Sequence, residues 1–230
     1  MSPAAMYSFA RSTAFRNAAF FVREAGRTGA VRTVLTTHIV LTILGTFAEL
    51  GGSVSVYITA FFLPSYATRE LGLSAATGVS SGVIGALVLF VSAPLMGLAA
   101  DRFTRKRILI ASRVAMLLLV YPAFLWLTRD PTPAALYAVS AGLAVLVSGQ
   151  IVPVLVMLPE IFPKAVRATG IALTYVVSAS IFGGFSPFVA TWLVAATGDK
   201  LAPALYVAAA CLVSLLPIHW LTDHTGQRLG

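Results

Sequence analysis

Charge is what this sequence has least of. Asp, Glu, Lys and Arg make up only 10% of its 230 residues, against roughly 25% in an average soluble domain. So few polar side chains cannot cover a surface facing water, which excludes an ordinary water-soluble enzyme. Cysteine is almost absent too: Cys211 stands alone, so neither an intrachain disulfide nor a cysteine cluster for a metal is available. No secretory signal is expected at the start, because Arg11 interrupts MSPAAMYSFARSTAF before a compact apolar stretch and a small-residue cleavage site are reached. Alternating apolar and polar runs are also missing. The apolar stretches are continuous and far longer than the roughly 9 to 11 residues of a membrane strand.

What remains is apolar: 58% hydrophobic residues and a mean hydropathy of +0.90. Lipid is therefore the expected solvent. At about 20 to 25 residues per crossing, six segments fit: Thr33 to Leu63, Ser74 to Ala100, Ile108 to Thr128, Pro133 to Leu158, Ala168 to Thr197 and Leu201 to Thr222. The breaks PSYATRELGL, DRFTRKR, RDPT, PEIFPKAVR and GDK carry the Pro, Gly and charge that end helices at a water interface. The fold class expected is an all-α membrane protein of six transmembrane helices. Residues 1–32 form an Arg-rich amphipathic arm, residues 33–223 the helical domain and residues 224–230 a tail.

Sidedness follows from Lys and Arg. With the arm, Asp101 to Arg113, Pro159 to Arg167 and the tail on one side, that side holds thirteen of the sixteen cations; Arg69, Arg129 and Lys200 lie opposite. Both termini are then cytoplasmic, in a multi-pass protein of the cell membrane. Trp126 and Trp192 fall near outer helix ends and Trp220 near an inner one, where indoles favour the interface. The net charge of +8 in so apolar a chain suits anionic lipid head groups rather than nucleic acid. An Arg-rich, acid-poor arm also fits an organellar presequence.

Two loops carry the most specific signals. GLAADRFTRKR, Gly97 to Arg107, sets four cations and one carboxylate within seven residues. Charge alone fits a positive-inside anchor, but Gly97 permits close helix approach and Asp101 can meet a helix amino terminus or a guanidinium. In Gly97, Asp101, Arg102, Arg105 and Lys106 the segment resembles the signature loop of the major facilitator superfamily, with Thr104 where that family usually has glycine. PEIFPKAVRATG, Pro159 to Gly170, is similar to the loop between helices ten and eleven of that superfamily's metabolite:proton symporter branch, and Glu160 and Arg167 flank it. GGSVSVY, Gly51 to Tyr57, and GGFSPF, Gly183 to Phe188, extend the likeness.

The resemblance implies that the six segments are helices seven to twelve of a twelve-helix transporter, its carboxy-terminal half. It implies proton-coupled symport of small polar metabolites, such as organic acids or osmolytes, by alternating access. No covalent chemistry or cofactor is implied. The charges of the two loops would latch a cytoplasmic gate, with Glu160 and Arg167 paired to each other or to Asp101 and Arg102. Implied partners are the bilayer, the solute and protons, and a second six-helix half or a second copy. The alternative is a non-transporting membrane fragment or assembly partner.

Glu49 is the one carboxylate well inside a span, about 24 Å from the start of its segment. An ionisable residue at that depth is a functional candidate by default. A carboxyl that takes up and releases a proton suits coupling; a neutral Glu hydrogen-bonded to a neighbouring helix is the plainer alternative. Gly51 and Gly52 in the first span, and Gly183, Gly184 and Pro187 in the fifth, are expected to break their helices beside a cavity, although packing kinks do the same. Tyr57 and Gln150 join Glu49 as candidates for the substrate path.

Other motifs lead nowhere chemical. Gly78 to Gly82 satisfies both GxxxG and the esterase pattern GxSxG, but the latter needs a strand–turn–helix, so close helix packing is expected, with Gly85 on the same face and toward a second half. His219 and His224 beside Asp223 lack further ligands for a metal.

Overall fold

In a computed structural model, residues 28–220 are described, and among them no strand occurs. Residues 1–27 and 221–230 lie outside the described residues; they include most of the arm, the end of the sixth segment, Asp223 and His224. A short helix, Thr28–Thr37, leads into six spans: Ile39–Arg69, Ala75–Phe103, Arg105–Arg129, Pro133–Ile161, Arg167–Thr197 and Ala202–Trp220. The six expected segments are all present.

Local chemistry explains the ends. Ser74 Oγ accepts from the Thr77 amide at 3.1 Å to start the second span, and Thr132 Oγ1 accepts from Ala135 at 3.3 Å to start the fourth, with Pro133 in its first turn. Gly198, at φ 69°, ends the fifth. The second and third spans are separated by one residue, Thr104, the only non-glycine residue with positive φ among those described (87°). The turn that the family makes with glycine is thus made here by a β-branched side chain.

The first and fifth spans are not continuous α-helix. Each contains a π turn, Ile58–Phe62 and Val177–Gly183, and each π turn is followed closely by a proline, Pro64 or Pro187, at the start of the next α-helical stretch. A proline has no N–H and crowds the carbonyl a turn earlier, so re-spacing the ladder just before it relieves both problems. In the fifth span the π segment ends at Gly183, and Gly184 lies in the turn after it. Gly51 and Gly52 break nothing: they lie inside the unbroken helix Ile39–Tyr57, and the irregular turn comes six residues later.

Burial ranks the spans. More than half of the apolar window of the first and fourth is enclosed by the bundle, but only 11% of that of the second, which turns most of its surface outward. Its small-residue face is nonetheless occupied. Gly78 and Gly82 lie against Pro64, and Gly85 against Ser140, so this face packs within the bundle rather than waiting for another body. At one end Tyr66 donates to the Lys200 carbonyl at 2.8 Å and Lys200 Nζ to the Glu70 carbonyl at 2.5 Å. At the other, Lys106 Nζ donates to the His219 carbonyl at 2.8 Å.

Replacing Thr104 with glycine removes a strained backbone conformation that costs a β-branched residue roughly 1 to 3 kcal/mol. The expected outcome is a higher melting temperature for Thr104→Gly in detergent, with unchanged helicity by circular dichroism.

Candidate functional site

The apolar core is divided in two. One cluster runs through Leu50, Val54, Tyr66, Met116, Phe124 and Val207, and a smaller one through Ala48, Leu109, Val154, Met157, Leu158 and Ile218. Between them lies a polar layer with one member or more from every span but the second: Glu49 and Ser53, Arg113, Gln150, Thr174 and Ser178, and Ser214, all buried. Glu49 sits about 15 Å along the helix from Ile39, roughly 8 Å short of the middle of its span. The layer therefore lies nearer the end that carries the DRFTRKR loop than a midplane position would.

Arg113 is the residue that the sequence reading placed wrongly. Counted there among the cations of the loop, it lies inside the third span with no exposed surface, leaving twelve of the sixteen cations on that side. Two helical turns separate it from Arg105. Its guanidinium donates to Ser214 Oγ of the sixth span and to the Ala48 carbonyl of the first at 3.3 Å. Ser214 in turn donates to the Cys211 carbonyl at 2.8 Å. A Cβ on Gly51 would collide with the guanidinium and with Ser214 Oγ, so Gly51 opens the notch that the cation fills.

Glu49, 2% exposed, faces this cation and feels its charge without a direct ion pair. One carboxyl oxygen accepts from Ser53 at 3.5 Å, and the Ser53 and Ser178 hydroxyls bond at 3.1 Å, linking the carboxyl to the first turn of the fifth span's π segment. Glu49 Oε2, Arg113 Nε, both amide atoms of Gln150 and Thr174 Oγ1 are buried with no hydrogen-bond partner among the described residues. Unsatisfied polar atoms of this kind are costly in an apolar bundle.

The other candidates are spread out. Gln150 is wholly buried beside Gly52, inside the bundle rather than on an open face. Tyr57 is partly exposed, and its ring lies where a Cβ on Gly183 would stand, 2.7 Å away. Gly97 has ordinary room, with Val152 at 3.8 Å. In the loops, Arg105 pairs with Glu160 and reaches the exposed Asp101 at 4.0 Å. Arg102 stacks on Phe103 with 5.6 Å to the ring centroid, and Arg167 donates to the Phe162 carbonyl at 3.3 Å. Glu160 thus meets Arg105 instead of Arg102 or Arg167 as its ion-pair partner. Phe162, 1% exposed, covers Gly170 so closely that a Cβ there would strike its ring. That contact accounts for an aromatic and a glycine eight residues apart in the second motif.

Two neighbouring glycines should behave differently. Gly51→Ala overpacks the Arg113 notch and is expected to lower stability by about 1 to 3 kcal/mol. At Gly52 the nearest guanidinium atom is 3.7 Å from an added methyl, so Gly52→Ala should melt close to the wild type in the same thermal assay.

The Major Facilitator Superfamily profile matches residues 25–229. The citrate-proton symporter of Klebsiella pneumoniae is 30% identical over 176 residues, covering 75% of this chain and 39% of the symporter. The ectoine/proline transporter of Corynebacterium glutamicum is 29% identical over 178 residues, 75% of this chain and 34% of the transporter. The putative proline/betaine transporter of Staphylococcus aureus is 30% identical over 182 residues, 76% of this chain and 38% of the relative. The chain spans less than two fifths of the length of these relatives. No solved structure matches it. With six apolar spans, an interrupted first and fifth helix and a family match over nearly its whole length, the chain belongs to the major facilitator superfamily, whose members are transporters rather than enzymes.

Proposed function

We propose that the six spans form one body of a proton-coupled symporter for small polar metabolites, organic acids or osmolytes, and that Glu49 carries the coupled proton. The observation that carries this reading is the buried carboxyl of Glu49, set between a fixed cation, Arg113, and a hydroxyl pair that leads to the fifth span. An intramembrane ionisable group of this kind belongs on an ion path. One relative is named for citrate and protons, others for ectoine, proline or betaine; all of these are small polar solutes.

In this reading Tyr57, at the seam of the first and fifth spans between their two π turns, is the substrate-path residue with partial exposure, and Glu49 and Gln150 act from behind it. The helix breaks at Gly183, Gly184 and Pro187 let the seam move. Asp101, Arg102, Arg105, Lys106, Glu160 and Arg167 gather at one end as the cytoplasmic gate, where Arg105 and Glu160 tie the loop after the second span to the end of the fourth. The protein sits in the cell membrane with residues 1–32 and 224–230 cytoplasmic. Alternating access needs two bodies that rock about a shared site, so a second six-helix body, from another polypeptide or a second copy, completes the transporter.

Orientation is tested by cysteine labelling in intact cells. Arg129→Cys is expected to react with an impermeant reagent added outside and Lys164→Cys to react only after permeabilisation; the reverse pattern refutes the sidedness.

Coupling is tested with Glu49→Gln in cells that accumulate labelled citrate, proline or betaine on expression of the chain with its second body. A one-unit pH gradient supplies about 1.4 kcal/mol per coupled proton, or about tenfold accumulation. The variant should lose that gradient-driven accumulation and keep solute exchange. Full accumulation at equal expression would make Glu49 a packing residue, and saturable uptake by verified monomer of this chain alone would remove the need for a second body.

A further inference from the structure

We propose that Arg113 is the fixed counter-charge of Glu49, a positioning residue that keeps the carboxyl exchangeable inside the apolar bundle by holding a positive charge beside it in either protonation state. The inference rests on the reading of Glu49 as proton carrier, and deepens it by adding a residue from a span that the loops and the helix breaks do not mark.

The geometry separates the cation's anchorage from its electrostatic partner. Arg113 spends its hydrogen bonds on Ser214 Oγ and the Ala48 carbonyl, groups that do not change charge, and it fills the notch at Gly51. Gain or loss of a proton on Glu49 therefore breaks none of its bonds. A guanidinium bonded directly to the carboxylate would have to be released at each protonation; one held a short distance away need not move. Glu49 in turn takes its hydrogen bond from Ser53.

The neighbours of the pair leave few rivals for this role. Around Glu49 and Arg113 lie Ser53 of the first span, which bonds Glu49, Ser178 of the fifth, which bonds Ser53, Ser214 of the sixth, which bonds Arg113, and Gln150 of the fourth, beside Gly52, all uncharged, with Cys211 of the sixth span, a thiol that bonds Ser55 at 3.8 Å. Arg113 is thus the one permanent charge beside Glu49 among the described residues. Guanidinium suits the task because it stays protonated where an ammonium would give up its proton. With Glu49 ionised the layer is neutral, and with Glu49 protonated it carries one positive charge, so proton uptake changes the charge of the layer and not its hydrogen-bonded frame.

The test reads the protonation of Glu49 without transport. The purified chain in lipid nanodiscs is treated at about pH 9, where little of the carboxyl is protonated and the rate follows that fraction, with dicyclohexylcarbodiimide, which attacks protonated carboxyls in apolar surroundings, and labelling of the Glu49 peptide is followed by mass spectrometry, with Glu49→Gln as the blank. Arg113→Gln is expected to label about tenfold faster or more, the change in protonated fraction that removal of one nearby opposite charge produces. Gly51→Ala, which overpacks the notch and keeps the guanidinium, should label near the wild-type rate. Equal rates for wild type and Arg113→Gln would overturn the proposal. So would equally fast labelling of Gly51→Ala and Arg113→Gln, which would make Arg113 a packing element whose disturbance merely opens the bundle. Failure of the coupling reading shows in accumulation by Glu49→Gln and leaves these rates unaffected, so the two ideas fail separately.

Discussion

A carboxyl and a guanidinium enclosed in a lipid-embedded helix bundle constrain everything packed around them. Breaking such a pair by removing one member is strongly destabilising, because the other is left as an uncompensated buried charge. The surroundings of Arg113 answer that constraint piece by piece. Gly51 gives up its side chain to make space, Ser214 and the Ala48 carbonyl accept its protons, and Glu49 balances its charge. Two apolar clusters then close over the layer from either side, and so the first, third and sixth spans are held in register by one polar contact set.

The same layer explains why the first span is built unevenly. Its helix is unbroken past Glu49, Gly51, Gly52 and Ser53, where the backbone must hold several side chains in place, and it loosens into a π turn only at Ile58–Phe62. The fifth span has its own π turn at Val177–Gly183, beginning beside Ser178, which bonds Ser53. Both irregular segments are followed by proline, so their positions are encoded locally, but the placing of the fifth span's π turn against the helix Ile39–Tyr57 is a property of the packed bundle. The seam joins the charge layer to the two π-helical segments found among the described residues.

At the loop end, glycine positions show how a motif is realised by different means. Thr104 adopts the positive φ that the family assigns to glycine, and the charges around it still find partners, Arg105 on Glu160 and Lys106 on the His219 carbonyl. The second motif keeps its glycine for another reason: Gly170 lies under the Phe162 ring. Exposed Asp101 contributes little to holding the loops together, since a solvent-facing ion pair is worth roughly 0 to 1 kcal/mol, whereas Glu160, with 3% of its side chain exposed, contributes more.

The family came from the resemblance carried by the two charged loops, while hydropathy and punctuation by Pro, Gly and charge sufficed for six spans and their approximate limits, because lipid imposes length and continuity on each helix separately. Glu49 was legible for the same reason: a lone carboxylate in an apolar run is conspicuous along the chain. Its counter-charge was not. Arg113 follows a cluster of loop cations by a few residues, and only its rotation about the third helix, set by packing against the first and sixth, turns it inward to Glu49. Gln150, read as facing a path, is likewise turned inward by the fourth span's packing, and of the two glycines read as breaks Gly51 is a spacer for the side chain of Arg113, while Gly52 has ordinary room beside it. Composition along one helix decides whether that helix enters the bilayer. Which of its faces meets which neighbour is decided by contacts between spans distant in sequence, and there the pairing of Glu49 with Arg113 arises.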